Sequence, residues 1–222
     1  TERLVFSSTA ATYGEAEATL IPETAPQCPT NPYGATKLAV ERMIADFGAA
    51  HGLCAVVFRY FNVAGADPEG RIGECHRPET HLVPLVLDAA SGRRPAIIVF
   101  GADYPTPDGT CIRDYLHVED LVDAHLLGVE RLLAGGAGLT ANLGTGQGFS
   151  VREVIETARA VTGLAIPEQA GARRPGDPAR LVCDGSLAMA ELGWRPVRST
   201  MDAMIADAWI THYLGDFRAS LA

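Results

Sequence analysis

Short apolar runs alternate along the chain with stretches in which apolar residues recur every three or four positions. The short runs predict buried strands over Arg3 to Ser8, Leu53 to Phe61 and Ala96 to Phe100. The longer stretches predict helices from Tyr33 to about Ala50, His81 to Ala90, Val118 to Leu133, Ser150 to about Thr162, Ser186 to Leu192 and Ser199 to Tyr213. Strands that alternate with helices favour an α/β fold.

A glycine cluster at 144–148 (GTGQG) follows a short predicted strand that begins near Ala141. Its spacing differs from the Gly-x-Gly-x-x-Gly of a dinucleotide-binding loop. Ser150 and Glu153 have the spacing of a capping box, which starts the next helix. We therefore interpret the cluster as a turn between a strand and a helix.

The chain has 222 residues, of which 47% are hydrophobic, so it can form one large domain or two small ones with a substantial core. No apolar stretch approaches the roughly 18 residues of a membrane helix, and the first residues lack the layout of a secretory signal. We therefore expect a soluble, cytoplasmic protein that has no membrane partner.

The formal net charge of −9 argues against a nucleic-acid partner. Binding to phosphates needs a clustered basic face, and the tight basic pairs are only those at 93–94 and 173–174. An anionic ligand would therefore need local arginines.

The cysteines and histidines predict neither a disulfide framework nor a metal centre. The five cysteines are odd in number and widely spread, which indicates reduced thiols. His76 and His81 are five residues apart, a poor spacing for a metal-binding face. We expect no metal site.

The strongest chemical signal is Tyr33 followed four residues later by Lys37. Residues at i and i+4 share a helix face, so the ammonium can lie beside the phenol and favour its deprotonated form. Tyr33 could then accept a proton from a substrate hydroxyl. Thr9, at the end of the first strand, could hydrogen-bond the same oxygen, whereas Ser7 and Ser8 are interpreted as structural. This trio indicates redox chemistry on an alcohol.

Five segments extend this signal over the length of the chain. They are FSSTAATYG at 6–14, NPYGATK at 31–37, RYFNVAGA at 59–66, FGADYPTPDGTCIRDYLHV at 100–118 and RRPGD at 173–177. The first two resemble the extended short-chain dehydrogenase/reductase superfamily, and the other three resemble the UDP-glucose 4-epimerases within it.

The resemblance implies the C-terminal part of an NAD-binding, Rossmann-like, doubly wound parallel sheet plus a smaller α/β substrate-binding domain. Residues 1–62 would belong to the first domain and 63–222 to the second, with a segment at about 115–147 packing back on the sheet. The family's Gly-rich NAD-binding turn lies in roughly the first third of its pattern, which precedes the part matched here. We therefore expect a fragment that is inactive alone and belongs to a longer, homodimeric protein.

The family's reaction interconverts UDP-glucose and UDP-galactose at C4, through a 4-keto sugar and with tightly bound NAD. The resemblance assigns the base to Tyr33 and contact with the cofactor ribose to Lys37. It places the Thr9 hydroxyl between the sugar and the tyrosine, and Phe61 beside the nicotinamide.

Further positions match the family's binding residues for the UDP-sugar. Asn62, Arg113 and Arg174 match residues that hold the diphosphate or sugar, and Asp177 matches a carboxylate that accepts from ribose hydroxyls. Val99 and Phe100 are expected to flank the uracil. His81 stands where many members have Asn. Leu181 stands where side-chain bulk governs entry of N-acetylated sugars, so acceptance of UDP-GlcNAc stays open.

Three alternatives share these motifs. A sugar-nucleotide 4,6-dehydratase needs an Asp-Glu pair after the strand-end hydroxyl, where this chain has Ala10 and Ala11. A UDP-pentose or UDP-hexuronate 4-epimerase uses identical chemistry and stays a rival. A truncated, non-catalytic remnant that binds sugar nucleotides is the third reading.

Overall fold

A parallel sheet of three strands forms the first part of the molecule. The computed structural model describes residues 2–16 and 18–219. Strands β1 (Arg3–Thr9), β2 (Cys54–Tyr60) and β6 (Leu139–Leu143) lie in the order β1-β2-β6. The late strand β6 therefore returns to the sheet that the first two strands begin.

Two long helices cover this sheet, and the alternation of β2 side chains assigns them to opposite faces. Helix α1 (Pro32–His51) contacts Arg59, whereas α3 (Val118–Leu133) packs on Phe58. Gly128 allows this close packing, because a Cβ there would lie 3.0 Å from the Phe58 ring.

The ends of α1 follow directly from local sequence. The Asn31 side chain accepts a hydrogen bond from the Gly34 amide, and Pro32 occupies the first turn. Gly52 ends the helix in the left-handed conformation, with φ of 71°. These signals place Tyr33 in the first turn.

A second set of strands crosses the centre of the chain. Strand β5 (Ile112–His117) pairs in parallel with β3 (Asn62–Ala64) and β9 (Arg180–Leu181), and antiparallel with β7 (Gly148–Ser150). Strand β3 begins two residues after β2 ends, so Phe61 and Asn62 lie where the chain passes from the first sheet to the second.

The remaining elements enclose an apolar core. Helices α2 (Leu82–Ala90), α4 (Val151–Thr162) and α6 (Met201–Ala219) pack on one another beside the parallel pair β4 (Ile97–Phe100) and β8 (Glu168–Gly171). The short helix α5 (Ser186–Leu192) packs instead on α3 and β6. None of the described helices is both long enough and apolar enough to cross a membrane.

The predicted helices are confirmed to within two residues at their starts, as are the strands β1, β2 and β4. The structure adds β3, β5, β7, β8 and β9, which the sequence did not predict. Strand β5 contains Arg113 and Asp114 within its six residues, so its pattern lacks the continuous apolar run of a buried strand.

Candidate active site

Tyr33 and Lys37 lie one turn apart at the start of α1, beside the carboxyl end of β1. The Lys37 Nζ is 5.8 Å from the centre of the Tyr33 ring and 5.0 Å from that of Phe6. It donates a hydrogen bond of 2.8 Å to the Ser7 carbonyl. Strand β1 thus holds the ammonium beside a phenol ring that is 54% exposed.

Thr9 is held rigidly at the point where β1 ends. Its Oγ1 accepts from the Ala11 amide at 3.1 Å, and its carbonyl accepts from the Thr12 hydroxyl at 3.0 Å. These bonds cap a short 3₁₀ turn over Ala10–Thr12. The Thr9 hydroxyl is therefore fixed in direction, with its own proton still available for donation.

Two neighbouring cavities connect the predicted residues. A cavity of about 860 Å³ is lined by Thr9, Tyr33, Phe61, Asn62 and His81, among others. A second, of about 220 Å³, is lined by Thr9, Phe61 and Asn62 together with Asp177 and Leu181. Thr9, Phe61 and Asn62 thus face both cavities, so the structure brings seven of the twelve predicted site residues to one cleft region.

The predicted diphosphate ligand Arg113 forms an ion pair with Asp177 in this structure. Its guanidinium also donates to the carbonyls of Ile112 and Pro178, at 2.7 and 2.8 Å. Arg174 lies over the Phe100 ring, with its guanidinium carbon 4.2 Å from the ring centre. The charged residues predicted to hold a UDP-sugar therefore contact one another or an aromatic face.

Val99 differs from its expectation. Strand alternation turns its side chain into the apolar core, where it is only 5% exposed, and turns Phe100 outward beneath Arg174. A uracil ring can meet the Phe100 side chain, but the Val99 side chain has almost no free surface.

A buried ionic network behind the Tyr33–Lys37 pair was not predicted. Glu41 accepts hydrogen bonds from the Arg59 guanidinium, at 2.6 Å and 3.1 Å, and from the Ser8 hydroxyl. Burial raises the pKa of Glu41, but the bonds from Arg59 and Ser8 outweigh it and hold that pKa below its usual value. The four-residue spacing of Tyr33, Lys37 and Glu41 along α1 was the signal in the sequence.

Asp114 anchors the glycine cluster. Its buried carboxylate accepts from the amides of Thr145, Gly146 and Cys183 at 2.9 to 3.2 Å, and burial raises its pKa. The capping box of Ser150 and Glu153 begins α4 directly afterwards. The cluster is a turn, as predicted, but it connects β6 to the short strand β7, which leads directly into α4.

Comparison with known proteins identifies the family of the chain. A model of the "NAD dependent epimerase/dehydratase family" matches residues 1–144. A UDP-glucose 4-epimerase of Streptomyces lividans is 59% identical over 210 residues, which are 95% of this chain and 62% of that protein. The chain thus spans less than two thirds of the length of this relative.

Solved structures are similar as well. The UDP-glucose 4-epimerase of Brucella ovis in complex with NAD is 49% identical, with a TM-score of 0.91 over 94% of this chain and 64% of that one. A UDP-glucose 4-epimerase of Stenotrophomonas maltophila, with bound NAD and formylated UDP-arabinopyranose, is 41% identical, with a TM-score of 0.94 over 98% and 65%.

The predicted fold class and the resemblance to UDP-glucose 4-epimerases are confirmed by these matches. The roles of the individual site residues and the domain boundaries stay predictions. The family model covers well over half of the 222 residues. The chain belongs to the NAD dependent epimerase/dehydratase family.

Proposed function

We propose that this chain is part of a UDP-glucose 4-epimerase, an isomerase that interconverts UDP-glucose and UDP-galactose in galactose metabolism. The observation that carries the proposal is the convergence of Thr9 and Tyr33 with Asn62 on one cavity. Relatives at 59% and 49% identity bear that name. Because the chain spans less than two thirds of their length, the activity is proposed for the whole protein.

The residues at the end of β1 fit an NAD molecule. An ammonium has three donors, and among the described residues Lys37 uses one of them, on the Ser7 carbonyl. Two donors are therefore available for ribose hydroxyls. Tyr33, Thr9 and Phe61 line the adjoining cavity and would border the nicotinamide. When bound, NAD supplies the site that accepts a hydride and later returns it.

Tyr33 is the base in this proposal. It accepts the proton of the sugar 4-hydroxyl as C4 loses a hydride, and a 4-keto sugar results. Thr9 accepts from the Ala11 amide, so its own O–H is free to donate to the sugar O4 or to Tyr33. The keto sugar then rotates in the cleft, so that the opposite face of C4 is presented for the return of the hydride. Tyr33 returns the proton to O4 as C4 regains a hydride on the opposite face, which inverts the centre without a second base.

The nucleotide part of the substrate would bind on the side of the cleft opposite Tyr33 and Thr9. Arg113 and Arg174 carry the positive charge that a diphosphate needs, and bidentate bonds from guanidinium groups are strong. Asp177 would have to exchange its ion pair with Arg113 for the ribose hydroxyls. Phe100 offers an outward-facing ring for the uracil, and Asn62 and His81 add polar contacts to the phosphates or sugar.

A UDP-pentose 4-epimerase is the second candidate. The structure of the Stenotrophomonas protein contains a formylated UDP-arabinopyranose, which is a pentose nucleotide. Chemistry at C4 is identical for both sugars, and only the C5 substituent differs. Turnover measured with UDP-galactose and with UDP-arabinose separates the two candidates.

The complete protein is proposed to be a cytoplasmic homodimer. Met43 and Phe47 are 57% and 52% exposed on α1 and lie four residues apart, so they form an apolar patch on one helix face. All five cysteines are free thiols, as expected in a reducing compartment.

The decisive experiment is conversion of UDP-galactose to UDP-glucose by the full-length protein and by its Tyr33→Phe variant. Loss of a general base lowers the rate by about a hundredfold to ten-thousandfold. Tyr104→Phe is the matched control, because the buried Tyr104 hydroxyl has no hydrogen-bond partner among the described residues. Equal rates for wild type and Tyr33→Phe would refute the role of Tyr33.

The 222-residue chain alone is expected neither to retain NAD nor to turn over. Denaturing the purified chain and assaying the released NAD by absorbance tests this directly. Stoichiometric NAD in the supernatant would contradict the expectation and would mean that this chain alone holds the cofactor.

A further inference from the structure

Four side chains with metal-binding atoms meet in the segment that leads into α2. They are Glu74, His76, Glu79 and His81, and one nitrogen or oxygen atom of each lies within 4.8 Å of the others. The His81 Nδ1 is 2.5 Å from Glu74 and 3.3 Å from Glu79, and the His76 Nδ1 is 3.6 Å from Glu79. The two imidazole rings stack at 5.2 Å.

The spacing of His76 and His81 did not predict this cluster, because five residues is a poor metal-binding spacing only on a regular helix. The segment from Glu74 to His81 contains no helix or strand. On a helix, side chains five residues apart would point in different directions, whereas the irregular path of this segment brings them together.

The carboxylates of Glu74 and Glu79 have no arginine or lysine within ion-pair distance in the described part of the chain. Among the described residues, the ion-pair partners of Glu74 and Glu79 are the two imidazoles alone. Two carboxylates therefore lie within 4.8 Å of each other with imidazoles as their ion-pair partners among the described residues. A divalent ion would neutralise both of them.

Two of the three separations approach those of ligands around a small transition-metal ion, whereas the His81–Glu74 contact of 2.5 Å would have to lengthen. Zinc lies about 2.0–2.2 Å from nitrogen and oxygen ligands, so neighbouring ligands of a tetrahedral ion are about 3.3 Å apart. The separations of 3.3 and 3.6 Å are already close to that value. Imidazole together with carboxylate suits zinc, whereas magnesium and calcium prefer oxygen ligands alone.

We propose that Glu74, His76, Glu79 and His81 bind one divalent transition-metal ion of the zinc class. Glu74 and His81 also line the cavity of about 860 Å³, so the ion lies at the rim of the cleft. The proposal does not depend on the epimerase reaction, because it rests on the ligand geometry alone.

The test is calorimetric titration of the untagged, full-length protein with zinc chloride, with calcium chloride as the hard-cation control. We expect one zinc ion per chain and no comparable heat with calcium. The double variant His76→Ala/His81→Ala should bind zinc more than about tenfold more weakly, since even the loss of an outer-shell partner costs about 10- to 100-fold. Glu79→Gln, which preserves side-chain size, should weaken binding in the same direction.

Two variants control for other zinc ligands. His51 is an exposed histidine outside the cluster, and Cys75 is an exposed thiol inside the segment. His51→Ala and Cys75→Ser should both keep the wild-type affinity. Circular dichroism and thermal unfolding without metal establish that each variant is folded before it is titrated.

Acidic pH provides a second measurement, because protons compete with the metal for imidazole nitrogen. Zinc affinity should fall when the pH is lowered from 7.5 to 5.5. The proposal is overturned if wild-type protein binds no zinc, if the histidine variant binds it equally well, if Cys75→Ser alone abolishes binding, or if affinity is independent of pH.

Discussion

Two packing layers of the molecule, one between α1 and the first sheet and one between α2, α4 and α6, have interiors of opposite character. Beneath α1, the sheet of β1, β2 and β6 encloses the ion pair of Glu41 and Arg59, whose side chains are both 8% exposed. Between α2, α4 and α6 the interior is apolar, with fully buried side chains such as Leu87, Ile155 and Met204. Burial of apolar surface stabilises a fold without specifying direction. A hydrogen-bonded ion pair adds little net stability but requires one orientation.

The two layers also differ in their proposed roles, since one supports the catalytic residues and the other the nucleotide-binding part. Glu41 lies on the same face of α1 as Tyr33 and Lys37, one helical turn after the lysine. Its bonds to Ser8 of β1 and Arg59 of β2 fix the rotation of the helix relative to the strand that ends at Thr9. The layer that contains the Glu41–Arg59 ion pair therefore lies under the proposed catalytic residues. The apolar interior stabilises the part that would bind the nucleotide.

The strongest test of this contrast is Glu41→Ala. The substitution leaves the Arg59 guanidinium buried without its carboxylate, and we expect the free energy of unfolding in urea to fall by about 3–5 kcal/mol. The double variant Glu41→Leu/Arg59→Met removes both charges and should recover most of that loss. A single variant within about 0.5 kcal/mol of wild type would mean that solvent reaches the pair, since exposed pairs contribute only that little.

The corresponding substitution in the apolar layer is Leu87→Ala. Its side chain is fully buried, so we expect a loss of about 2–5 kcal/mol through reduced apolar burial and a residual cavity. Leu133→Ala is the matched control, because Leu133 is 65% exposed. A loss confined to the Leu87 variant that is constant between pH 4 and pH 8 supports the contrast, and a pH-dependent loss contradicts it.

Acid sensitivity distinguishes the two interiors by a smaller effect. The pKa of Glu41 is lower in the folded protein than in the unfolded chain. The contribution of Glu41 is therefore present above the unfolded pKa, about 4.3, and is lost as the pH falls through the folded value. We expect Glu41→Gln to lose less stability than wild type between pH 5 and pH 3. If the free energy of unfolding in urea changes equally with pH for the two proteins over this range, the assignment is refuted.

The comparison also explains what the sequence could predict. Helix α1 and the Tyr33–Lys37 pair follow from local signals, namely the Asn31 cap and a spacing of four residues. The pairing of Glu41 with Arg59 joins residues 18 apart, and that of Arg113 with Asp177 joins residues 64 apart. No local pattern encodes such pairings, because they depend on how strands are arranged in space.

The directions of individual side chains could not be predicted from local sequence either. Val99 and Phe100 were both expected at the uracil, yet neighbouring strand residues face opposite sides, so one of them had to point inward. Choosing which one requires knowledge of where the helices α2 and α4 lie. The motif resemblance predicted this strand at the site, and the packing decides which of its faces is available.

The smallest change in stability is expected for Phe47→Glu, on the outer surface of α1. Phe47 is 52% exposed, so the free energy of unfolding should change by no more than about 0.5 kcal/mol. If α1 forms the homodimer interface, two such charges would face each other and the dimer should dissociate. Light scattering of the full-length protein measures this, with Leu133→Glu on α3 as control. Dissociation by the Leu133 variant instead would assign the interface to α3, and a wild-type monomer would refute the homodimer.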